Sequence, residues 1–238
     1  MTANTAPMTV AEKIAEIGLT RVVHFTPAKN LHHIVADGQI TSNKALAEYS
    51  PEYFDPTDLY RFEDHPEMTC VTFTYPNPFY FEKARTQPRF RRFPDWVCLL
   101  INAEILTRDG VMFCECNAAK NAGAHLKPGV EGLRGCFADT TTLGYQRGLA
   151  HDPLAATDLQ AEALIPGPIP LSDITAIVTP TGKAAGDGHA QLRAGGLDPD
   201  QFTWTVSEMM FTKGPLTNAI QSGQPVGETL WTRAREEN

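Results

Sequence analysis

The chain of 238 residues has no long hydrophobic run. No stretch approaches the ~18 to 20 apolar residues that a membrane helix needs. Residues 1–7 contain neither the basic segment nor the apolar segment of a secretion signal. We therefore expect no membrane association and a cytoplasmic location. Cysteine is scarce and odd in number, at five, which argues against a disulfide framework and for reduced, buried thiols.

Basic residues are also few, at 20 against 28 acidic ones, so the formal net charge is −8. This balance argues against a protein that coats nucleic acid with its whole surface. A local basic site remains compatible with it, because a cleft can carry a field opposite to the net charge. Residues 83–92 contain five cations and no acid, and they form either a phosphate-binding stretch or a solvated surface: Lys83, Arg85, Arg89, Arg91 and Arg92.

Regular alternation of strands with long helices is missing as well, which disfavours a doubly wound parallel sheet and predicts an α+β fold in a single domain. Capping and periodicity predict helices at 11–17, from 27 to about 38, and at 130–137. Residues 139–158 form a loop of a length that is usually functional or disordered, and 181–188 is predicted to be a flexible connector. The predicted strands are 20–25, 69–74, 96–102, 111–116, 159–165, 174–179 and 202–206.

Spacing typical of a metal site is not present. Cys114 and Cys116 are two apart in a predicted strand and so share one face, but no second Cys or His pair with zinc-finger spacing follows. We therefore expect buried thiols and no metal. His32 and His33 are adjacent and cannot share one helical face, so we assign them to the surface of the helix.

Three separate segments contain residue types that can carry chemistry. His24, with Phe25 and Thr26, ends an apolar strand, where it is either a ligand contact or a satisfied core histidine. Residues 75–81 contain four aromatic side chains and two prolines, which suits a planar ring or an aromatic core beneath a turn. Period-two spacing in 159–165 places Gln160 and Glu162 on one face. A carboxylate in an apolar strand indicates either catalysis or an unseen cationic partner, because burying an unpaired charge is costly.

Taken in order, these segments resemble the DarT family of nucleic-acid ADP-ribosyltransferase toxins over about residues 20–180. The Tyr-Pro-Asn and Asn-Ala-Ala elements are more similar to the guanine-modifying branch than to the thymidine-modifying one. The matching residues are Arg21-Val22-Val23-His24-Phe25-Thr26 with Asn30-Leu31 and Asp37-Gly38, Thr74-Tyr75-Pro76-Asn77 with Phe79-Tyr80, Trp96-Val97-Cys98-Leu99, Phe113-Cys114 with Asn117-Ala118-Ala119, and Gln160-Ala161-Glu162-Ala163-Leu164-Ile165.

The resemblance implies a single-domain, ADP-ribosyltransferase-like split β-sheet fold with flanking helices. It implies NAD as co-substrate and transfer of ADP-ribose to a base in single-stranded DNA. It also implies a toxin in a toxin-antitoxin or phage-defence system, with a macrodomain antitoxin as partner. On this reading residues 1–19 form an N-terminal helix, 20–214 the ADP-ribosyltransferase domain and 215–238 a weakly patterned tail. The alternatives are the same fold acting on RNA or protein, and an inactive nucleotide-binding module.

The resemblance also implies roles for individual residues. Glu162 and Arg61 match catalytic positions. The expected NAD contacts are His24, Phe25, Thr26, Asn30, Tyr75, Asn77 and Tyr80. The expected nucleic-acid contacts are Arg85, Arg89, Arg91, Arg92, Tyr145, Arg147 and His151.

Overall fold

The structure, a computed structural model, describes residues 7–49, 63–90 and 94–233. The helices are α1 (Val10–Ile17), α2 (Leu31–Ala36), α3 (Asn43–Tyr49), α4 (Pro78–Arg85), α5 (Gly129–Cys136), α6 (Gly182–Ala194) and α7 (Lys213–Ser222). The strands are β1 (Arg21–Pro27), β2 (Gln39–Ile40), β3 (Met68–Phe73), β4 (Trp96–Asn102), β5 (Met112–Cys114), β6 (Leu126–Pro128), β7 (Glu162–Pro166), β8 (Ile169–Pro170), β9 (Ile174–Thr179), β10 (Thr203–Val206) and β11 (Thr229–Leu230).

A mixed central sheet organises the fold. Within the described ranges it has nine strands in the order β11-β10-β9-β4-β1-β3-β7-β5-β6, and β2 pairs separately with β8. Strand β4 is buried on both faces: Leu99 and Ile101 pack in the layer that contains α1, α2, α5 and α6, whereas Cys98 and Leu100 pack in the layer that contains α4. The predicted α+β fold in a single domain is confirmed.

The sheet splits between β1 and β3. These two strands pair only at Val22 with Phe73 and at Val23 with Thr72. Beyond that point β1 stays paired with β4 as far as Pro27, while β3 stays paired with β7 as far as Met68. The two halves of the sheet therefore separate after Val23, and the gap between them opens into a cleft.

Two predicted elements differ from the structure. The stretch predicted as a connector, 181–188, belongs to α6, whose first turn is capped by the Thr181 hydroxyl accepting from the N–H of Ala184 at 3.1 Å. The glycines suggested flexibility, but Gly188 allows close packing, since a Cβ there would lie 3.2 Å from the Trp204 ring. Thr26 and Pro27 do not begin a helix because they remain paired with β4.

The other predicted elements are largely confirmed. Helix α1 ends at Gly18, which adopts a φ of 76°, and residues 139–158 form a long loop. The segment that showed weak patterning, 215–238, contains most of α7 and the strand β11. The Glu228 carboxylate of that segment accepts two hydrogen bonds from Arg21, at 2.9 and 2.5 Å. Arg61, Arg91 and Arg92 lie outside the described residues. None of the described helices has the length and apolar character to cross a bilayer.

Candidate active site

The gap in the split sheet is a cleft of about 1230 Å³, counted out to its open mouth. Its walls come from β1, α2, α3 and β3, and its base includes the start of β7. The predicted site residues that line it are His24, Phe25, Thr26, Asn30, Tyr80 and Glu162.

Glu162 is held in a fixed orientation at the base of the cleft. It begins β7 between Thr72 of β3 and Cys114 of β5, and it is 7% exposed. The Asn117 side-chain amide donates to Oε1 at 3.1 Å, and the backbone N–H of Ala118 donates to Oε2 at 3.0 Å. Hydrogen bonds to a charged acceptor are among the stronger ones in proteins. Both carboxylate oxygens are thus oriented before any ligand binds.

His24 spans the fork of the sheet. Its Nδ1 lies 3.0 Å from the backbone oxygen of Cys70 on the opposite half. A carbonyl oxygen only accepts, so this contact requires a proton on Nδ1 and selects one tautomer of the neutral ring. The imidazole is therefore held across the point where the two halves of the sheet separate.

Aromatic and polar groups on β1 complete one wall. The ring of Phe25 stacks on Phe81 with centroids 4.5 Å apart, and Tyr80 lies 6.2 Å from Phe25. On the polar side, the Asn30 amide donates to the hydroxyl of Thr26 at 2.9 Å. This wall combines flat rings with hydrogen-bonding groups, which is what a nucleotide with a planar base requires.

Comparison with known proteins decides the family. Residues 23–211 match the family model described as "ssDNA thymidine ADP-ribosyltransferase, DarT". The chain belongs to the DarT family. This family membership confirms the predicted enzyme class, an NAD-dependent ADP-ribosyltransferase, and NAD as its co-substrate. The description names thymidine, whereas two sequence elements favoured guanine; the modified base stays a prediction.

Two solved DarT structures share the fold. The structures are Thermosipho africanus DarTG in complex with ADP-ribose and Thermus sp. 2.9 DarT in complex with carba-NAD+, each with a TM-score of 0.54, 13% identity and 81% of this chain covered. The match covers 51% of the Thermosipho chain and 97% of the Thermus chain, so the present chain spans about half the length of the former. At this identity the likeness establishes the fold alone. No curated protein is significantly similar in sequence.

Two of the expected NAD contacts of this DarT chain lie away from the cleft lining. Asn77 is fully buried, and its Oδ1 caps α4 by accepting from the N–H groups of Phe79 and Tyr80 at 3.1 and 3.0 Å. The hydroxyl of Tyr75 donates to Asp152 in the long loop at 2.8 Å. Burial and this carboxylate raise the pKa of Tyr75. In the structure, Asn77 supports a helix and Tyr75 anchors the loop.

The expected nucleic-acid residues separate into anchored and exposed ones. Arg147 donates three hydrogen bonds within the loop, to Thr157 and to the backbone oxygens of Asp152 and Ala155. His151 is 8% exposed, and burial together with the Arg147 guanidinium lowers its pKa, so its imidazole is neutral at pH 7. These two side chains stabilise the loop, whereas Tyr145 is 43% exposed.

The two described arginines of the basic stretch both contact aromatic rings. Arg85 donates to the backbone oxygen of Phe211 and lies 5.4 Å from the Phe81 ring centre. Arg89 donates to Gln87 at 2.8 Å and lies 4.7 Å from the Phe90 ring centre. Their part in nucleic-acid binding stays a prediction.

Sequence reasoning assigned no role to several residues of the site. Asn117 and Ala118 belong to an element noted only for its resemblance, yet they hold Glu162. His33 was assigned to the helix surface, but it lines the cleft together with Asp37. The one available signal was their spacing of four residues, which places His33 of α2 and Asp37 at the end of that helix on the same face.

Asp158 is a buried carboxyl close to the active site. It is 5% exposed; Oδ1 accepts from the N–H of Gln160 at 2.9 Å, and Oδ2 has no hydrogen-bond partner in the described part of the chain. Burial raises the pKa of Asp158. The pKa of this carboxyl is therefore higher in the folded chain than in the unfolded one. The carboxyl stabilises the folded chain fully below pH ~3.9, the pKa of an aspartic acid in an unfolded chain. This stabilisation is lost as the pH rises through the pKa of the folded chain.

We therefore expect Asp158→Asn to raise the free energy of unfolding, relative to the original chain, more at about pH 7 than at about pH 4. Asparagine keeps an oxygen for the N–H of Gln160 and has no charge to bury. Urea unfolding at the two pH values measures the difference in free energy. The exposed Asp109→Asn variant is the control. An effect of Asp158→Asn that is equal at both pH values would contradict the prediction.

Proposed function

We propose that this chain transfers ADP-ribose from NAD to a base of single-stranded DNA, with Glu162 as the catalytic carboxylate. The observation that carries the proposal is the oriented Glu162 side chain at the base of the split-sheet cleft, in a chain of the DarT family. The described residues fit the co-substrate. Phe25 and Tyr80 offer flat surfaces for a ring, while Thr26 and Asn30 offer polar contacts.

NAD supplies the ADP-ribose group, with nicotinamide as its leaving group. Positive charge develops on the ribose when the bond to nicotinamide breaks, as in glycoside cleavage, and a carboxylate beside that sugar stabilises the transition state more than the ground state. Glu162 acts in this way by holding a ribose hydroxyl. It also accepts the proton that the base nitrogen loses when that nitrogen bonds to the ribose carbon in place of nicotinamide.

The long loop is proposed to present the acceptor. It ends at residue 158, four residues before Glu162, and it exposes Tyr145. The amine of Lys120, only two residues after the Ala118 that holds Glu162, lies 5.8 Å from the Tyr145 ring centre. An exposed ring beside a cation suits an unpaired base and its phosphate.

Incubation with NAD labelled in its ADP-ribose part tests the acceptor class. Equal amounts of single-stranded DNA, RNA and a protein mixture are offered in separate reactions. Label on DNA is expected. Label only on RNA or only on protein would overturn the choice of acceptor, and no release of nicotinamide in any reaction would instead indicate an inactive nucleotide-binding module.

We also propose that the chain acts as a toxin in a toxin-antitoxin or phage-defence system, with an antitoxin of the macrodomain class that removes the modification. ADP-ribose on a base obstructs pairing, so expression in growing bacteria is expected to stop colony formation. The Glu162→Gln variant is expected to permit it. Equal growth of the two strains at equal protein levels would contradict the toxin role.

A further inference from the structure

One short segment contacts both Glu162 and the long loop. Residues 114–120, called here the bracket segment, continue from β5 beside the start of β7. Asn117 and Ala118 of this segment hold the two oxygens of Glu162. The sulfur atoms of Cys114 and Cys116 lie 3.6 Å apart, so these two side chains point the same way. Glu115, between them, points elsewhere.

Glu115 binds the loop. It is 4% exposed, and its Oε2 accepts from the backbone N–H of Thr142 at 3.0 Å, while Oε1 accepts from the Thr142 hydroxyl. A buried carboxylate without partners would be costly, and here one loop residue supplies two. The contact therefore joins the bracket segment to the loop by two charge-assisted hydrogen bonds.

The part of the loop that Glu115 holds is a compact turn. Thr140 pairs with Gln146 in an isolated antiparallel bridge, and the N–H of Thr141 donates to the oxygen of Tyr145 at 2.9 Å. The Thr141 hydroxyl accepts from the N–H of Tyr145 at 3.2 Å. This turn carries the exposed Tyr145 ring, which also meets Lys120 of the bracket segment at 5.8 Å. The turn is thus attached to the bracket segment at both Thr142 and Tyr145.

We propose that Glu115 is a positioning residue for the acceptor: it fixes the 139–147 turn to the same segment that holds Glu162, and so sets the place of the base relative to the catalytic carboxylate. The proposal rests on the proposed function above. Glu115 does not line the cleft. Its loss should therefore impair use of the DNA strand and leave binding of NAD intact.

Kinetics of the Glu115→Gln variant test the proposal. Glutamine keeps the shape of the side chain but removes its charge and places an amide donor where one oxygen accepted. We expect kcat/KM for a single-stranded oligonucleotide to fall about tenfold, as for loss of one hydrogen bond to a charged group. We expect KM for NAD to change less than about twofold. The amides of 139–147 should exchange hydrogen faster, and those of β7 should not.

The Thr142→Val variant provides a second route, because it removes the hydroxyl donor at an exposed position and keeps the backbone N–H. Thr142→Val should also lower kcat/KM for the oligonucleotide. The fall in the double variant should be smaller than the product of the two single falls. The exposed Glu131→Gln variant is the control.

Each outcome is decisive. The proposal would be overturned if KM for NAD rose by as large a factor as kcat/KM for the oligonucleotide fell, or if neither parameter changed. The proposed function would stand in both cases. Failure of the original chain to transfer ADP-ribose to DNA would instead overturn the proposed function, and the role of Glu115 with it.

Discussion

Replacing Glu162 with glutamine is expected to lower kcat for ADP-ribose transfer by about 10²- to 10⁴-fold, the range of one well-placed acid/base group. Glutamine has nearly the same shape but no charge. It neither compensates the positive charge that develops on the ribose nor accepts the proton of the base. Nicotinamide release, measured with a saturating oligonucleotide, gives kcat directly.

The matched control is Glu131→Gln on α5, where the side chain is 73% exposed and pairs with Arg134 one turn away. It should keep the original kcat, and both variants should remain folded in the absence of urea. Retention of kcat within about tenfold by Glu162→Gln would contradict its assignment as the catalytic carboxylate.

The second large effect is expected for His24→Ala. The imidazole lies in the cleft and is oriented by the backbone oxygen of Cys70. We propose that the imidazole bonds a ribose hydroxyl of NAD, so its removal should raise KM for NAD by about 10- to 100-fold. Titration of NAD at a fixed oligonucleotide concentration measures this KM.

His32→Ala is the control for that variant, because His32 is an exposed histidine on α2 whose neighbour His33, unlike it, lines the cleft. KM for NAD should stay unchanged in the control. If His24→Ala lowered kcat alone and left KM for NAD unchanged, the imidazole would not belong to the NAD site.

Local patterns predicted the parts of the site that a single strand determines. The apolar run of β1 predicted a strand that ends near His24, and period-two spacing singled out Glu162 as a carboxylate in an apolar strand. Both lie in one cleft because β1 and β3 separate after Val23. That separation is a matter of pairing between distant strands, and no local pattern predicts it.

Long-range pairing also supplies contacts of Glu162 that no local pattern shows. The partners of Glu162 are Asn117 and Ala118, some 45 residues earlier, brought there by the pairing of β5 with β7. The amides of these two residues orient the carboxylate.

Residue type alone does not show which side chains already hold other parts of the fold. The Tyr75 side chain was expected to contact NAD, and in the structure its hydroxyl holds Asp152 in the loop. The arginine and histidine of the loop were expected to contact nucleic acid, and in the structure Arg147 donates to loop oxygens and His151 is buried. A long loop needs internal hydrogen bonds to stay ordered, and these side chains supply them.

Mass spectrometry of reacted oligonucleotides shows whether the chain joins ADP-ribose to a base and whether this transfer needs Glu162. Single-stranded oligonucleotides that differ in one base are incubated with NAD and either the original chain or Glu162→Gln. We expect one added ADP-ribose, located on a base by fragmentation, with the original chain and almost none with Glu162→Gln. An adduct on no oligonucleotide while NAD is consumed, or the same adduct at the same rate with Glu162→Gln, would contradict it.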